Sequence, residues 1–100
     1  MTVTIKALAR TAAATSSTTL YTVPSATTAV ITNIAVNNAA GTAATFTLTF
    51  DGVDLLTGVS VAANTTVFFD LKQALAATKV LSGYASATTV KFHISGAEIA

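Results

Sequence analysis

His93 is the only histidine in the chain, and Lys91, Ser95 and Glu98 lie close to it in sequence, so this segment gathers the residue types used in acid-base and nucleophilic chemistry. Strand alternation places His93 on one polar face with Lys91 and Ser95, with Glu98 a few residues later. A lone histidine among polar neighbours is most simply a surface residue. A serine nucleophile needs a base, an orienting carboxylate and a strained turn, and no Gly-x-Ser-x-Gly elbow surrounds Ser82, Ser86 or Ser95. No catalytic residue is assigned, and the chain is not expected to be an enzyme. Asp51 and Asp54 can reach one cation from a single loop, but calcium takes roughly six to eight oxygen ligands. Two acids are too few, and the Asp51-Gly52 pair is explained by a tight turn, so no metal site is expected. The absence of cysteine removes disulfides and thiolate metal sites, and no cofactor-binding residues stand out. Asn64-Thr65-Thr66 matches a glycosylation acceptor, which has meaning only on a secretory route. Met1 to Arg10 alternates Val3 and Ile5 with Thr2, Thr4 and Lys6, and does not read as a signal peptide; synthesis in a cytoplasm is the default.

Ligand binding through aromatic rings gets limited support. Tryptophan is absent, and Phe46, Phe50, Phe68, Phe69 and Phe92 sit among apolar neighbours as core residues do, leaving Tyr21 and Tyr84 as candidates for a glycan face. The adjacent Phe68 and Phe69 cannot share one side of a regular strand. Either both faces are covered there or one ring enters an interface. The ladder Thr45, Thr47 and Thr49 resembles the threonine faces of ice-binding proteins, but no repeat stacks it in register.

The elements that carry these residues are strands. Phe46, Leu48 and Phe50 alternate with Thr45, Thr47 and Thr49, and Val90, Phe92 and Ile94 alternate with Thr89, Lys91, His93 and Ser95, the period of a half-buried strand. Further strands are expected at Thr2 to Ala9, Thr18 to Val23, Ala29 to Asn37, Val53 to Leu56, Val59 to Ala62, Thr65 to Phe69 and Lys79 to Ala85. Asp51-Gly52 predicts a two-residue hairpin, and Pro24, Asn37 to Gly41 and Ala63-Asn64 supply other breaks. Gly83 is expected to bend a strand and Gly96 to interrupt the last one. Asp70 followed by Gln73 resembles a capping box, so Leu71 to Ala77 predicts at most one short helical turn. The chain therefore reads as one all-β domain over residues 1–100, a two-sheet antiparallel sandwich that includes the jelly roll among its forms.

Charge tells what the surface is for. Only 9% of residues are charged, against about a quarter in an ordinary soluble domain, and none lies between Thr11 and Phe50. Thr, Ser and Asn interrupt that stretch too often for a membrane span. Lys6, Arg10, Lys72, Lys79 and Lys91 are widely spaced in sequence, which argues against nucleic acid as a partner. A surface of Thr, Ser, Asn and Ala suits contact with neighbouring subunits, and the candidate contact residues are Thr2, Val3, Thr4, Ile5, Lys6, Arg10, Phe68 and Phe69.

Several blocks together resemble small virion proteins of tailed bacteriophages. They are Leu20 to Ser25, Val30 to Asn38, Gly52 to Leu55, Val61 to Thr66, Leu81 to Ser86 and Ile94 to Ile99, covering roughly residues 18 to 99. Members often carry Ala-Gly after the proline, where this chain has Ser25-Ala26. The resemblance implies a capsid decoration (cement) or tail-associated protein with no catalytic residues. On the first reading the chain sits at the capsid surface, binds the major capsid protein and self-associates, a trimer being favoured over a dimer because icosahedral lattices offer local three-fold positions. The alternative it implies is a tail or fibre protein that contributes to host adsorption. Met1 to Arg10, outside the resembling region, is expected to be either an N-terminal arm or an edge strand.

Overall fold

In the computed structural model, which describes all of residues 1–100, the chain forms eight strands. They are β1 (Val3–Ala12), β2 (Thr18–Thr22), β3 (Thr28–Asn38), β4 (Ala44–Phe50), β5 (Val53–Val61), β6 (Thr65–Leu75), β7 (Val80–Ala85) and β8 (Val90–Ile99). Four of them make a first sheet in the order β1-β8-β3-β6, and the others make a second in the order β2-β7-β4-β5, with every pairing antiparallel. Only β4 and β5 are consecutive neighbours; every other connection crosses between sheets. This strand order is that of an eight-stranded jelly roll, so the expected all-β sandwich is the fold.

The core lies between the sheets. Phe46, Leu48 and Phe50 of β4 and Val90, Phe92 and Ile94 of β8 are buried, while Lys91 and His93 face solvent, as the alternation predicts. Phe46 meets Phe69 and Phe92 edge-on, with ring centroids 6.0 and 5.9 Å apart, which joins the second sheet to the first. Phe69 therefore belongs to the core side of β6. Asn38 is fully buried at the end of β3, where its amide donates to the carbonyls of Thr42, Val61 and Ala62 and its oxygen accepts from the Ala40 N–H. Buried amides need such partners, and this one holds the turn into β4.

The Asp51-Gly52 hairpin forms as expected: Phe50 pairs with Val53, and both turn residues have positive φ (53° and 78°), the combination that Asp-Gly tolerates best. Ala26 also has φ 56°, at the position where the resembling proteins often carry glycine. An alanine there accepts a left-handed backbone at a cost of about 1–2 kcal/mol.

Four expectations are corrected by tertiary pairing. The helical turn at Leu71 to Ala77 is absent, because β6 continues to Leu75 and pairs with β3 through Ala74 with Val30 and Leu75 with Ala29. Burial of Leu75 outweighs the local helix preference. The two short strands expected at Val53 to Leu56 and Val59 to Ala62 are one strand, β5, that absorbs two register shifts against β4 and has φ 57° at Gly58. Gly96 does not interrupt β8, which runs on to Ile99. Thr47, expected to face outward with Thr45 and Thr49, is buried; the bulge in β5 brings the Gly58 N–H to its hydroxyl at 3.0 Å.

Candidate interaction surface

The outer face of the first sheet collects side chains from all four of its strands. One row across it reads Arg10, His93, Ala35, Phe68, and the next toward the chain ends reads Ala7, Ser95, Asn33, Asp70. Beyond these come Ile5, Ala97, Val30 and Ala74, then Val3, Ile99 and Thr28. On the other side of the Arg10 row, Ala12 and Lys91 are followed by Asn37 and Thr66. Toward the chain ends the β1-β8-β3 part of the face is thus apolar, with Val3, Ile5, Ala97, Ile99 and Val30, while Asp70 and Lys72 put charge on the β6 side. The other end of the face joins Arg10, Lys91 and His93 at a basic corner, with Phe68 at the far edge.

Exposure marks the apolar side chains as unpartnered within the chain: Ile5 is 85% exposed, Phe68 69% and Val3 56%. Large apolar groups left in water on one sheet face signal a contact surface. A groove of about 280 Å³ opens beside the basic corner, between Arg10 on β1 and Thr18, Thr19 and Leu20 at the start of β2.

The eight candidate contact residues separate in space. Val3, Ile5, Arg10 and Phe68 come to the outer face of the first sheet. Thr2 pairs its backbone with Ala100, and Thr4 and Lys6 alternate to the opposite side of β1. Phe69 packs on the core side against Phe46. Residues 3–12 are thus an edge strand laid along β8, from Val3 with Ile99 to Ala12 with Lys91, with one register shift at Leu8.

Among the residues of chemical interest, His93 faces outward beside Arg10, whereas Glu98 lies on the other side of β8 and joins no cluster with it. Asp51 lies 3.9 Å from Lys79 at the exposed hairpin. Asp54 instead accepts hydrogen bonds from Thr49 (2.8 Å) and Thr57 (3.4 Å) on the outer face of the second sheet. That face is lined by hydroxyls: Thr19, Ser82 and Thr49 share a row with Asp54, and Tyr84, 39% exposed, stands opposite Thr47. The register shifts in β5 break the ladder that a regular threonine array requires.

Glu98 does something the sequence did not disclose. Its carboxylate accepts from Lys6 at 3.2 Å and from the Tyr21 hydroxyl, so one acid ties β1, β8 and β2 together at the end of the sandwich. These partners are 92 and 77 residues away along the chain, and no local spacing reveals such a tie. The Tyr21 hydrogen bond, aided by Lys6, holds the Glu98 carboxyl below the usual carboxylate range; burial, and then the Glu98 carboxylate, push the Tyr21 hydroxyl above its ordinary value. A lowered acid contributes stability that is present above its unfolded pKa, about 4.3, and is lost as pH falls through the folded value. The melting temperature is therefore expected to fall more steeply below about pH 4.5 in the wild type than in Glu98→Gln. Parallel acid profiles would remove this tie from the stability of the fold.

No family model matches the chain, and no curated protein matches it. No helix is long and apolar enough to cross a membrane. Among solved structures it is similar to a pentameric capsid protein isolated from metagenomic phage sequences, with 20% identity over 96% of this chain and a TM-score of 0.40. The chain spans 59% of that protein's length.

Proposed function

We propose that this chain is a structural protein of a tailed-phage virion that decorates the capsid as a homo-oligomer and stabilises it by bridging major capsid subunits. The observation that carries this reading is the outer face of the first sheet, where Val3, Ile5 and Phe68 stand exposed beside Arg10, Lys91 and His93. Its supports are the sparse charge and the blocks of sequence that resemble small virion proteins. The mechanism is mechanical and assigns no catalytic step. A protein that binds only the assembled lattice favours that state by mass action, and several weak contacts held together gain avidity.

Quantitative gel analysis of purified virions tests the reading. A copy number comparable to that of the major capsid protein is expected; a few copies per particle would replace decoration with a tail or fibre role, and absence from particles would overturn both. Phe68→Asp is expected to reduce occupancy at limiting protein by roughly 10- to 100-fold, since burying a phenylalanine is worth about 1.5–3 kcal/mol. Phe68 makes no core contact that the substitution would break, so unchanged occupancy would remove this face from the attachment.

A further inference from the structure

The four sheet edges are not equivalent. An edge strand presents unpaired N–H and C=O groups that can accept another strand, and natural edges are blocked by charges, bulges or short length. On β6, Asp70 and Lys72 are exposed, and the register against β3 shifts between them and Gln73. In β5 there are two register shifts as well as the exposed Asp54. The third edge, β2, is five residues long and shifts register at Leu20. By contrast β1 runs from Thr2 to Ala7 without irregularity before its own shift at Leu8.

Backbone direction follows from the pairing at the start of β1. Thr2 and Ala100 exchange both backbone hydrogen bonds, at 2.6 and 2.9 Å. In an antiparallel pair such residues alternate, so Thr4 and Lys6 also face β8, while the N–H and C=O groups of Val3, Ile5 and Ala7 point outward from the edge. The only charge in this run, Lys6, lies on the opposite sheet face and is neutralised by Glu98. Nothing charged guards the edge.

We infer that β1 pairs antiparallel with β1 of a second copy about a two-fold axis, with Ile5 opposite Ile5 and Val3 opposite Ala7. The occupant is a second copy because strand addition needs two unguarded edges, and of the four edges β1 has the longest regular run without an unpaired charge, six residues against the five of Thr65 to Phe69 on β6. Charge agrees with the pairing: each Lys6 keeps its own Glu98, so two copies meet across a seam with no unpaired like charges. The two first sheets become one eight-stranded sheet whose outer face carries Val3, Ile5, Ala97 and Ile99 from both copies. Six residues make a seam about 20 Å long. That buries less than the roughly 1,200 Å² of a stable interface, so the dimer is weak alone and depends on concentration. This inference rests on the self-association in the reading above. It replaces three-fold with two-fold symmetry, and its test uses the isolated chain, so it can fail while capsid attachment stands.

The absence of native cysteine makes cross-linking direct. Facing residues in a hydrogen-bonded antiparallel pair have Cα atoms about 5.5 Å apart, within disulfide range. Oxidised Ile5→Cys protein is expected to give a disulfide-linked dimer on a non-reducing gel, and Phe68→Cys none. Sedimentation of the wild type is expected to show a monomer-dimer equilibrium, weakened at least tenfold by Ile5→Lys. Ile5→Pro gives a second check: the Ile5 N–H has no partner within the chain, so the monomer folds and only the dimer is lost. A wild type that stays monomeric at millimolar concentration, a trimer, or a dimer insensitive to both substitutions would overturn the pairing.

Discussion

Gly96→Ala is expected to lower the free energy of unfolding by more than about 4 kcal/mol, enough to leave much of the protein unfolded at ambient temperature. An alanine Cβ at this position would lie 2.0 Å from the Val30 carbonyl oxygen, 3.0 Å from the Val30 carbonyl carbon and 3.1 Å from the Ile31 Cα. These are backbone atoms of the adjacent strand, and they cannot rotate away as a side chain would. Moving β8 aside would break its pairing on both flanks, since Gly96 is matched with Ile31 of β3 and Lys6 of β1. Gly41→Ala is the control, because a Cβ there meets nothing within 4 Å. Urea titration of the two variants checks the comparison. Equal stabilities would mean that β3 and β8 separate at little cost.

Phe46→Ala comes next, with an expected loss of about 3–5 kcal/mol from the removed side chain and the cavity it leaves. Phe46 is 1% exposed and lies between Phe69 and Phe92, so its deletion removes both edge-on aromatic contacts between the sheets. A fall in Tm of at least about 12 °C is expected for a chain of this size. Phe92→Ala should cost a similar amount, and the double variant should cost less than the sum, because both substitutions empty the same space. Thermal unfolding of the three proteins checks this; strict additivity would show that the two rings do not share one packing unit.

The fold was legible wherever period-two burial was regular. In β4, and in β8 as far as Ile94, every large apolar residue points to the core, and the Asp51-Gly52 turn announces itself through residues suited to positive φ. Reading failed where one strand's geometry depended on another. The helical preference of Leu71 to Ala77 was overridden by β3, and β5, bulging over the outer face of β4, covered Thr47 and merged two expected strands. The Phe68-Phe69 pair did reveal that the two rings take opposite faces of β6, although alternation alone could not say which ring faces the core or whether the other is covered. The candidate surface was half legible. Val3 and Ile5 stood out as β-branched residues near the start of the chain, but their union with Ala97, Ile99 and Val30 requires knowing that β1 lies beside β8 and β8 beside β3. The Lys6-Glu98-Tyr21 tie had no local signal at all.

Because β8 is inserted between β1 and β3, β1 has no sheet partner and β3 has only β6 until the last strand of the chain has been made. The first sheet cannot close until β8 has been made, and closure then joins Val3 to Ile99 across nearly the whole sequence. Folding dominated by such distant contacts takes milliseconds to seconds. Until β8 is in place the facing edges of β1 and β3 stay unpaired, the kind of exposure that makes incompletely folded chains prone to aggregate.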